Sequence, residues 1–419
     1  MTSLRAAVVG GGLGGLCLAQ GLLRAGADVT VYERDASLAV RRQGYRLHVD
    51  ARAGLALEQC LPPESLAAFL ATCGQASRRL TVMSERLRIL HEQAGDPGID
   101  PYTPATLSTS VSRQTFREVL AAGLEDRIVF GCELASYEAE AGSGGVRLRF
   151  ADGRHADADL LVGADGVGSA VRRQYLPAAE PADTGVRSIY GKTLLGEQVT
   201  ARLPAAMTEG FTAVVGGRIG MATGLVRFRN PPQELGFSPA EDYLMWAVTG
   251  DRGEFGVPDD QLAGMEPARL HELTGRMIRS WHPDLRALHA LADVGQTFLV
   301  RIRISPPVPP WPPSRVTVLG DAVHAMSPAR GSGANTALQD AALLSRTLAS
   351  VGAAGGAGHV GGAGDLVAAI GEYEREMREV SYAAVAASRQ AETEMGARGN
   401  KIMFWLYRRL AARQANAGR

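Results

Sequence analysis

Two short apolar runs flank one helical pattern at the start of the chain. Ala6 to Val9 and Val29 to Tyr32 are apolar runs of strand length, and Leu13 to Ala25 carries the apolar spacing of a helix. A strand, a helix and a second strand in this order predict a βαβ unit. The pattern therefore predicts that the chain opens a Rossmann-like parallel sheet.

Apolar and polar positions then alternate in shorter segments. The stretch from Tyr45 to Val49 alternates as a strand does, and residues 78–90 also predict strand. Ser112 precedes an amphipathic pattern that ends near Gly123, which predicts a helix capped by the serine hydroxyl. Short strands are predicted from there to Gly163.

The middle of the chain is rich in predicted strands. The clearest apolar runs are Phe211 to Val215, Met221 to Phe228 and Tyr243 to Val248. The prolines between Pro306 and Pro313 interrupt this pattern, and the apolar strand Val316 to Leu319 follows them. We therefore predict a second, mainly β domain that is inserted between parts of the first.

The predicted fold class is α/β, with a Rossmann-like domain, an interleaved and mainly antiparallel β-sheet domain, and C-terminal helices. The pattern favours 1–77, 99–183 and 305–350 for the first domain, 78–98 and 184–304 for the second, and 365–419 for the C-terminal helical segment. A length of 419 residues agrees with two domains, because single cores stop growing near about 250 to 300 residues.

Composition and charge narrow the function classes. The 44 basic residues balance the 44 acidic ones, so no global field attracts nucleic acid or an anionic membrane. The four cysteines lack a metal-binding spacing and are expected to be reduced thiols of a cytoplasmic protein, and no metal site is predicted. Six glycines within residues 6–23 argue against a signal peptide or a membrane-spanning helix there.

A glycine-rich turn joins the first predicted strand to the first helix. Gly10, Gly12 and Gly15 form a GxGxxG pattern, and Glu33 ends the second strand. Such glycines let a pyrophosphate approach the backbone at the helix N-terminus, and the acid can bind ribose hydroxyls. The motif predicts a dinucleotide site but does not separate NAD from FAD.

Two further segments place an acid just beyond a buried strand. Asp165 and Gly166 end the segment that starts at Asp159, and Gly320 and Asp321 follow the strand Val316 to Leu319. Each tight turn aims backbone N–H groups and a carboxylate at one point. Pro328, Gly331, Gly333 and Asn335 then lead into a helix that contains Asp340.

With these three motifs in this order, the sequence resembles the para-hydroxybenzoate hydroxylase-like family of single-component flavoprotein monooxygenases, from the N-terminus to about residue 350. By that resemblance, Gly10, Gly12 and Gly15 hold the FAD pyrophosphate, Glu33 with Arg34 binds the adenosine ribose, Arg113 contacts FAD, and Asp165 belongs to a motif shared by FAD and the nicotinamide cofactor. Asp321 then binds the ribityl chain, and Pro328, Gly331, Gly333, Ala334 and Asn335 lie along the isoalloxazine ring. The chain departs from the family at Ser332, where glutamine is common.

The resemblance also implies the chemistry. Reduced FAD traps O2 as a C4a-hydroperoxide that delivers one oxygen atom to the substrate, with NADPH or NADH as a transient co-substrate. Arg46 and His48 share one face of the Tyr45 to Val49 strand, which in this family approaches the flavin. His48 is a candidate general base near neutral pH or a hydrogen-bonded structural residue. Arg46 is a candidate for substrate contact or for flavin contact.

Two other groups of residues have open roles. Candidates for a pocket lining or an ordinary sheet core are Tyr190, Arg218, Met221, Arg227, Phe228 and Trp246. The segment Ile402 to Tyr407, followed by Arg408 and Arg409, is expected to pack on the protein or on a second copy rather than on a membrane. The chain is therefore predicted to be a monomer or a homodimer.

The sequence thus predicts an enzyme, an FAD-dependent monooxygenase that uses NAD(P)H and O2 to hydroxylate or epoxidise an aromatic or polycyclic small molecule, as in natural-product tailoring. Baeyer–Villiger oxidation is not separated from these reactions. Two alternatives stay open: an FAD-dependent reductase or dehydrogenase acting on a polyene or prenyl substrate, and a non-catalytic flavin-binding module that senses redox state. A halogenase is disfavoured, because neither Trp246 nor Trp281 has the WxWxIP context of that family.

Overall fold

The computed structural model describes residues 3–40, 45–96, 98–139, 144–354 and 363–395. Their strands are β1 (Arg5–Val9), β2 (Asp28–Glu33), β3 (Arg46–Asp50), β4 (Arg79–Ser84), β5 (Ile89–Ala94), β6 (Ser108–Ser112), β7 (Ile128–Phe130), β8 (Leu134–Ala139), β9 (Val146–Phe150), β10 (His155–Ala158), β11 (Leu160–Gly163), β12 (Ala182–Leu194), β13 (Gly210–Gly216), β14 (Ile219–Val226), β15 (Tyr243–Asp251), β16 (Phe298–Ile304) and β17 (Val316–Val318).

Their α-helices are α1 (Leu13–Arg24), α2 (Ala51–Cys60), α3 (Pro63–Thr72), α4 (Arg113–Ala121), α5 (Ala170–Tyr175), α6 (Glu197–Thr200), α7 (Ala205–Thr208), α8 (Asp259–Ala263), α9 (Pro267–Met277), α10 (Pro283–Ala290), α11 (Asp321–His324), α12 (Gly333–Ala354) and α13 (Ala363–Met395). A 3-10 turn over Pro328–Arg330 precedes α12. None of the helices in these ranges has the length and apolar character of a membrane-spanning segment.

A five-stranded parallel sheet forms the Rossmann-like domain, in the order β17-β11-β1-β2-β7. Its central strands are buried and apolar on both faces, as is typical of parallel sheets, and the small antiparallel sheet β10-β9-β8 packs beside it, with Phe150 of β9 4.8 Å from the Tyr32 ring of β2. Helices α1 and α12 approach closely at glycines: a methyl group on Gly14 would lie 3.4 Å from Cβ of Ala337, and one on Gly21 would lie 2.6 Å from the hydroxyl oxygen of Ser345. The predicted α/β class is confirmed.

The second domain is a seven-stranded sheet in the order β16-β12-β15-β14-β13-β4-β5, antiparallel except for the β13–β4 pair. Leu244, Trp246 and Val248 point to one face, where they form a core with residues of α9 and α10 such as Ile278 and Leu285. The opposite face is turned towards the Rossmann-like domain. Side chains alternate between the two faces along each strand, so the register decides which residues line the space between the domains.

Helices α8, α9 and α10 lie between β15 and β16, in a part of the chain that the sequence pattern described only as strand-rich. Pro258 immediately precedes α8, while Pro267 and Pro283 are the first residues of α9 and α10. Proline is favoured at a helix start because its fixed φ suits the first turn and its missing N–H would be unpaired there anyway. These prolines were the sequence signal for the helices.

The prediction that the Ser112 hydroxyl caps a helix is wrong. Helix α4 begins after Ser112, but its side chain makes no capping hydrogen bond. Ser112 is also the last residue of β6 and lies opposite Arg46 in the antiparallel pair β3–β6. Strand pairing therefore sets the direction of this side chain.

Helix α13 is fastened to β17, the edge strand of the parallel sheet. The Tyr373 hydroxyl donates to the Val318 carbonyl at 2.9 Å, and the Thr317 hydroxyl donates to the Glu374 carboxylate at 2.9 Å. Helix α13, which ends at Met395, thus packs on the Rossmann-like domain through Tyr373 and Glu374. The segment Ile402 to Tyr407 and the two arginines after it lie outside the described residues.

Candidate active site

The glycine-rich turn after β1 has room that only glycine leaves. Gly10 has φ +111°, and a methyl group on it would lie 2.4 Å from the carbonyl oxygen of Ala164. A methyl group on Gly15 would lie 2.1 Å from the carbonyl oxygen of Gly10, whereas no atom lies within 4 Å of that position on Gly12. The turn is therefore closely packed at Gly10 and Gly15 and open at Gly12. Gly12 lies at the N-terminus of α1, where a pyrophosphate would meet free N–H groups.

Glu33 braces this turn through an arginine that sequence reasoning did not single out. Its carboxylate accepts hydrogen bonds from the Gly11 N–H and from the Arg117 guanidinium, both at 2.9 Å, and Arg117 Nε donates to the Gly11 carbonyl at 2.7 Å. Both side chains are almost fully buried. Arg117 is the last residue of the segment Ser112-Arg-x-x-Phe-Arg117, which also contains Arg113. The motif that predicts Arg113 as a cofactor contact therefore also contains Arg117. Arg34, which follows Glu33 in the sequence, is exposed.

Asp165 lies just beyond β11 and organises the next turn. One carboxylate oxygen accepts the N–H of Ala170 at 2.7 Å, whereas the other is buried without a hydrogen-bond partner within the described ranges. Desolvation raises the pKa of Asp165. Arg172 links this turn to the third motif by donating to the carbonyls of Val167, at 2.7 Å, and Ala322, at 3.3 Å.

A buried acid fixes the turn before Asp321. Gly320 has φ +61°, which favours glycine, and its N–H donates to the Asp340 carboxylate at 2.9 Å. Asp340 also pairs with the fully buried imidazole of His324 and accepts a hydrogen bond from Ser381 at 3.2 Å. Asp340 of α12 and Ser381 of α13 therefore fix the backbone of this turn.

Asp321 lies on the floor of a deep recess. Its side chain is accessible to solvent although protein surrounds it densely, and desolvation raises the pKa of its carboxyl, against the effect of nearby His324 and Arg113. The Arg113 guanidinium lies 5.5 Å from the centre of the Tyr45 ring. The structure thus brings Arg113 and Asp321 to one recess.

The loop before α12 is joined to β3 by Asn335. Its side-chain amide accepts the N–H of Asp50 at 3.0 Å and donates to the carbonyls of His48, at 3.0 Å, and Gly331, at 2.9 Å. A methyl group on Gly331 would lie 3.5 Å from Cβ of His48. Ser332, where the chain departs from the family pattern, accepts a hydrogen bond from Arg52 at 3.3 Å.

Arg46 and His48 both lie between the domains in a poorly hydrated environment. The Arg46 guanidinium lies 5.5 Å from the centre of the Phe211 ring, and desolvation lowers its pKa to about 10. Desolvation, followed by the charge of Arg46, lowers the pKa of His48 to about 4. The imidazole is therefore neutral at physiological pH, and the lowered pKa makes it a weaker base than residue type alone suggested.

Comparison with known proteins places these motifs in a family. A family model described as "FAD binding domain" matches residues 307–385, and one described as "NAD(P)-binding Rossmann-like domain" matches residues 8–57. A solved structure from Photorhabdus luminescens, described as an FAD-containing monooxygenase, is 33% identical with a TM-score of 0.75, over 93% of this chain and 98% of that one. The chain belongs to the FAD-dependent monooxygenases. The resemblance stated from the three motifs is thereby confirmed.

Two curated relatives show the range of this family. A dual O-methyltransferase/FAD-dependent monooxygenase of Phaeosphaeria nodorum is 34% identical over 91% of this chain but only 45% of its own length. A 6-hydroxynicotinate 3-monooxygenase of Bordetella bronchiseptica is 28% identical over 83% of each protein. The chain spans less than half the length of the curated relatives that it matches with the highest identity.

The residues of the chain fit FAD. The space above Gly12 at the N-terminus of α1 suits a pyrophosphate, and the recess with Asp321 on its floor suits the polar chain between the phosphates and the ring. The buried carboxylate oxygen of Asp165 without a partner is a further polar contact that a bound cofactor can complete.

The face of the seven-stranded sheet that is turned towards the flavin-side domain carries a cluster of aromatic rings. Tyr190 stacks on Phe298 with ring centres 5.4 Å apart, and Tyr45 lies 5.8 Å from both rings. Phe211 and Met245 lie on the same face. Sequence reasoning singled out only Tyr190 of these residues, because the alternation predicts two faces without saying which one meets the flavin.

The other candidates from the second domain have structural positions. Met221 and Trp246 pack in the core on the far face, and Phe228 is buried beside Tyr243. Arg218 and Arg227 are surface residues that face Glu254 at 3.5 Å and Asp242 at 3.7 Å. The alternative of an ordinary sheet core thus holds for Met221 and Trp246, whereas Phe228 is buried in the cluster against which Tyr45 and Tyr190 pack.

A groove of about 580 Å³ opens on the outside of the protein, next to the Asp165 turn. Val167 from that turn, Phe298 from the aromatic face, and Arg301 and Arg303 from β16 are among its lining residues. The groove therefore joins a basic strand to a loop of the cofactor site. Phe298 separates it from Tyr190 and Tyr45.

Proposed function

We propose that the chain hydroxylates a flat aromatic or polycyclic small molecule, with NAD(P)H as the reductant and O2 as the oxidant. The observation that carries this proposal is the ring cluster of the sheet: Tyr190 stacks on Phe298 and contacts Tyr45, over which Arg113 lies, and Arg46 lies over Phe211. Flat rings bind well against aromatic side chains, and a few polar groups fix their orientation.

The cofactor contacts are part of the proposal. Gly10, Gly12 and Gly15 hold the FAD pyrophosphate, Glu33 and Arg34 are next to the adenosine ribose, and Arg113 and Asp321 bind the chain that leads to the ring. Asp165 contacts FAD near the nicotinamide approach. Pro328, Gly331, Gly333, Ala334 and Asn335 line the isoalloxazine ring. These assignments are supported by the recess that Arg113 and Asp321 share, by the open space beside Gly12, and by the solvent exposure of Asp321.

Bound FAD supplies the redox chemistry, because the reduced flavin activates O2 and one oxygen atom passes to the substrate. The protein residues orient the ring and exclude water. The lowered pKa values of Arg46 and His48 are signs of such exclusion, since both shifts come first from desolvation.

His48 acts in this proposal as a neutral hydrogen-bonding group. With a pKa of about 4, the imidazole holds a proton too weakly to keep a phenol ionised at neutral pH. The adjacent Arg46 can stabilise developing negative charge on a ring oxygen instead. His48 therefore positions the substrate, and Arg46 supplies the charge.

We propose that the reductant docks transiently in the groove beside the Asp165 turn. Arg301 and Arg303 give the groove the charge that nicotinamide dinucleotide phosphates require, and Val167 connects it to the cofactor site. NADPH and NADH both meet this description. The Arg303→Ala variant is expected to raise the KM for the reductant and to leave substrate affinity unchanged.

Rapid mixing tests the function directly. The FAD-loaded protein is reduced without oxygen and then mixed with O2 in the presence of candidate aromatic compounds, while the flavin absorbance is followed. A transient species that differs from reduced and oxidised FAD, with formation of hydroxylated product, is the expected result. Reoxidation without such a species or product for every compound would overturn the proposal and favour a reductase.

A further inference from the structure

A pair of ionisable side chains lies next to the turn that carries Asp321. The imidazole of His324 and the carboxylate of Asp340 are both almost fully buried, and Nε2 of His324 donates a hydrogen bond to that carboxylate. The same carboxylate accepts the N–H of Gly320 at 2.9 Å and the hydroxyl of Ser381 at 3.2 Å. Three donors around one buried acid replace the water that a charged carboxylate would otherwise need.

Asp340 favours the protonated form of His324. Desolvation acts first and lowers the pKa of the buried imidazole, but the charge of Asp340 and the hydrogen bond to it, together with the charge of Asp321, raise the pKa above its ordinary value. Nδ1 of His324 is buried without a hydrogen-bond partner among the described residues. Asp340 is therefore the side chain that stabilises the imidazolium through a hydrogen bond.

The single helical turn α11 joins this imidazolium to the acid of the cofactor recess. Asp321 is the first residue of α11 and His324 is the last, and the His324 N–H donates to the Gly320 carbonyl at 3.0 Å. Desolvation raises the pKa of the Asp321 carboxyl, and the charge of His324 opposes this more strongly than that of Arg113 does. Loss of the imidazolium would therefore raise the pKa of Asp321 further.

Other charged or titratable groups around α11 do not replace this charge. Arg172 of α5 donates to two backbone carbonyls, and the phenol of Tyr373 in α13 donates to a third. Arg113 of α4 acts on Asp321, but less than His324 does. The imidazolium is thus the main positive charge that acts on the acid at the start of α11.

We propose that His324 is a positioning residue for the cofactor, and that its imidazolium, paired with Asp340, holds the Asp321 carboxylate charged and in place for the polar chain of FAD. The inference rests on the proposed assignment of Asp321 to FAD. A charged carboxylate accepts hydrogen bonds from the hydroxyls of that chain more strongly than a neutral carboxyl does. His324 therefore acts on FAD through Asp321 and not by touching it.

The pH dependence of FAD retention tests the inference without turnover. The holoenzyme is diluted, and the flavin fluorescence that appears on release gives the dissociation constant between about pH 5.5 and about pH 8.5, the range in which an imidazole titrates. His324→Gln is expected to bind FAD about tenfold more weakly than the wild type at the acid end. The difference should shrink as pH rises, because Asp321 then loses its proton without the imidazolium.

A double-mutant cycle shows whether His324 acts through Asp321. In the Asp321→Asn background, His324→Gln is expected to weaken FAD binding by less than about twofold, because the acid that it acts on is gone. Ser381→Ala removes a hydrogen bond to the same buried carboxylate without removing a charge. As the matched control, Ser381→Ala should keep the wild-type dependence of FAD affinity on pH.

The wild-type protein provides a second measurement if His324→Gln does not fold. The nitrogen chemical shifts of the His324 imidazole in the holoenzyme report whether both ring nitrogens carry protons. We expect the imidazolium at about pH 7.5, where an ordinary histidine is neutral. A neutral ring at that pH would overturn the inference.

Two further results would overturn the inference and leave the proposed function intact. One is an equal loss of FAD affinity from His324→Gln in both backgrounds, and the other is a wild-type pH dependence in His324→Gln. Full FAD affinity in Asp321→Asn would overturn the inference together with the assignment of Asp321. Failure of the proposed function looks different, because FAD would then bind as expected while no aromatic compound received oxygen.

Discussion

The side-chain amide of Asn335 donates a hydrogen bond to the main-chain carbonyl of His48 at 3.0 Å. The same amide accepts the N–H of Asp50 at 3.0 Å, so one residue at the start of α12 is bonded to two positions of β3. Asn335 is fully buried, and these bonds fix the position of β3, which carries Arg46 and His48, relative to the start of α12. The hydrogen bond thereby links two candidate residues, Asn335 and His48, that lie 287 positions apart in sequence.

Asn335→Ala is expected to destabilise the protein by roughly 1 to 3 kcal/mol, because it leaves a half-buried carbonyl and a half-buried N–H without partners. It is also expected to slow turnover more than it weakens FAD binding, since β3 loses its register against the recess. Urea unfolding and steady-state kinetics measure the two effects. Asn230→Ala, which removes an exposed side-chain hydrogen bond to Ala71, is the control and should cost much less. Equal losses in both variants would contradict the bridging role.

Asp321→Ala is expected to yield protein depleted of FAD. The carboxylate is the accessible acid on the floor of the recess, and its removal takes away the group that we assign to the chain between phosphates and ring. We expect FAD affinity to fall by at least about tenfold, as for the loss of one charged hydrogen bond. The flavin-to-protein absorbance ratio gives the occupancy, with Asp126→Ala on the exposed turn before β7 as the control. Full occupancy in Asp321→Ala would remove the assignment.

The sequence predicted the motifs of the flavin-side domain because each is local. A strand, a glycine turn and a helix are adjacent along the chain, so Gly10, Gly12, Asp165 and Asp321 could be found from spacing alone. The bridge from Asn335 to β3 could not be predicted, because it depends on how two distant segments meet.

The substrate side shows the same difference between local and long-range information. Alternation along β12 and β15 predicts that Tyr190 and Trp246 are each on one of two faces, but the choice depends on strand register and on the helices that cover the far face. The lowered pKa of His48 also depends on tertiary structure, since desolvation and the charge of Arg46 cause it. Residue type alone suggested a base near neutral pH.

Acid stability should depend on His289. Its ring stacks on His271 with centres 4.0 Å apart, and its Nε2 lies 2.8 Å from the Thr274 hydroxyl. Desolvation, followed by the nearby His271, lowers the pKa of His289 from 6.5 to about 4. A base whose pKa is depressed on folding destabilises the folded state in acid, so its contribution is harmless above about pH 6.5 and grows unfavourable as pH falls towards 4.

His289→Gln removes this titration. Wild-type protein is expected to lose about 2 kcal/mol from this residue between about pH 7.5 and about pH 5, because the unfolded imidazole takes up a proton that the folded one refuses. The variant should therefore show a flatter dependence of the free energy of unfolding on pH, measured by urea titration at both values. His155→Gln, at an exposed position of β10, should keep the wild-type slope. Identical slopes for wild type and His289→Gln would refute the prediction.

Gly224→Ala tests whether the space beside Arg46 matters as much as the charge. A methyl group at this position would lie 2.4 Å from Cδ of Arg46, so the arginine must leave its place over Phe211. Because the guanidinium then no longer points to the substrate position, we expect KM for an anionic aromatic substrate to rise about tenfold or more, with FAD occupancy unchanged. The neutral counterpart should be affected less, since it never used the charge.

Gly196→Ala is the matched control for that substitution, because it adds the same methyl group in the same domain where no atom lies within 4 Å. Steady-state kinetics with the anionic and neutral substrates, together with the flavin absorbance ratio, distinguish the two variants. If Gly224→Ala raised KM for both substrates equally, the glycine would serve general packing of β14. If it changed neither, Arg46 would not act from its place over Phe211, and the role that we propose for it would be wrong.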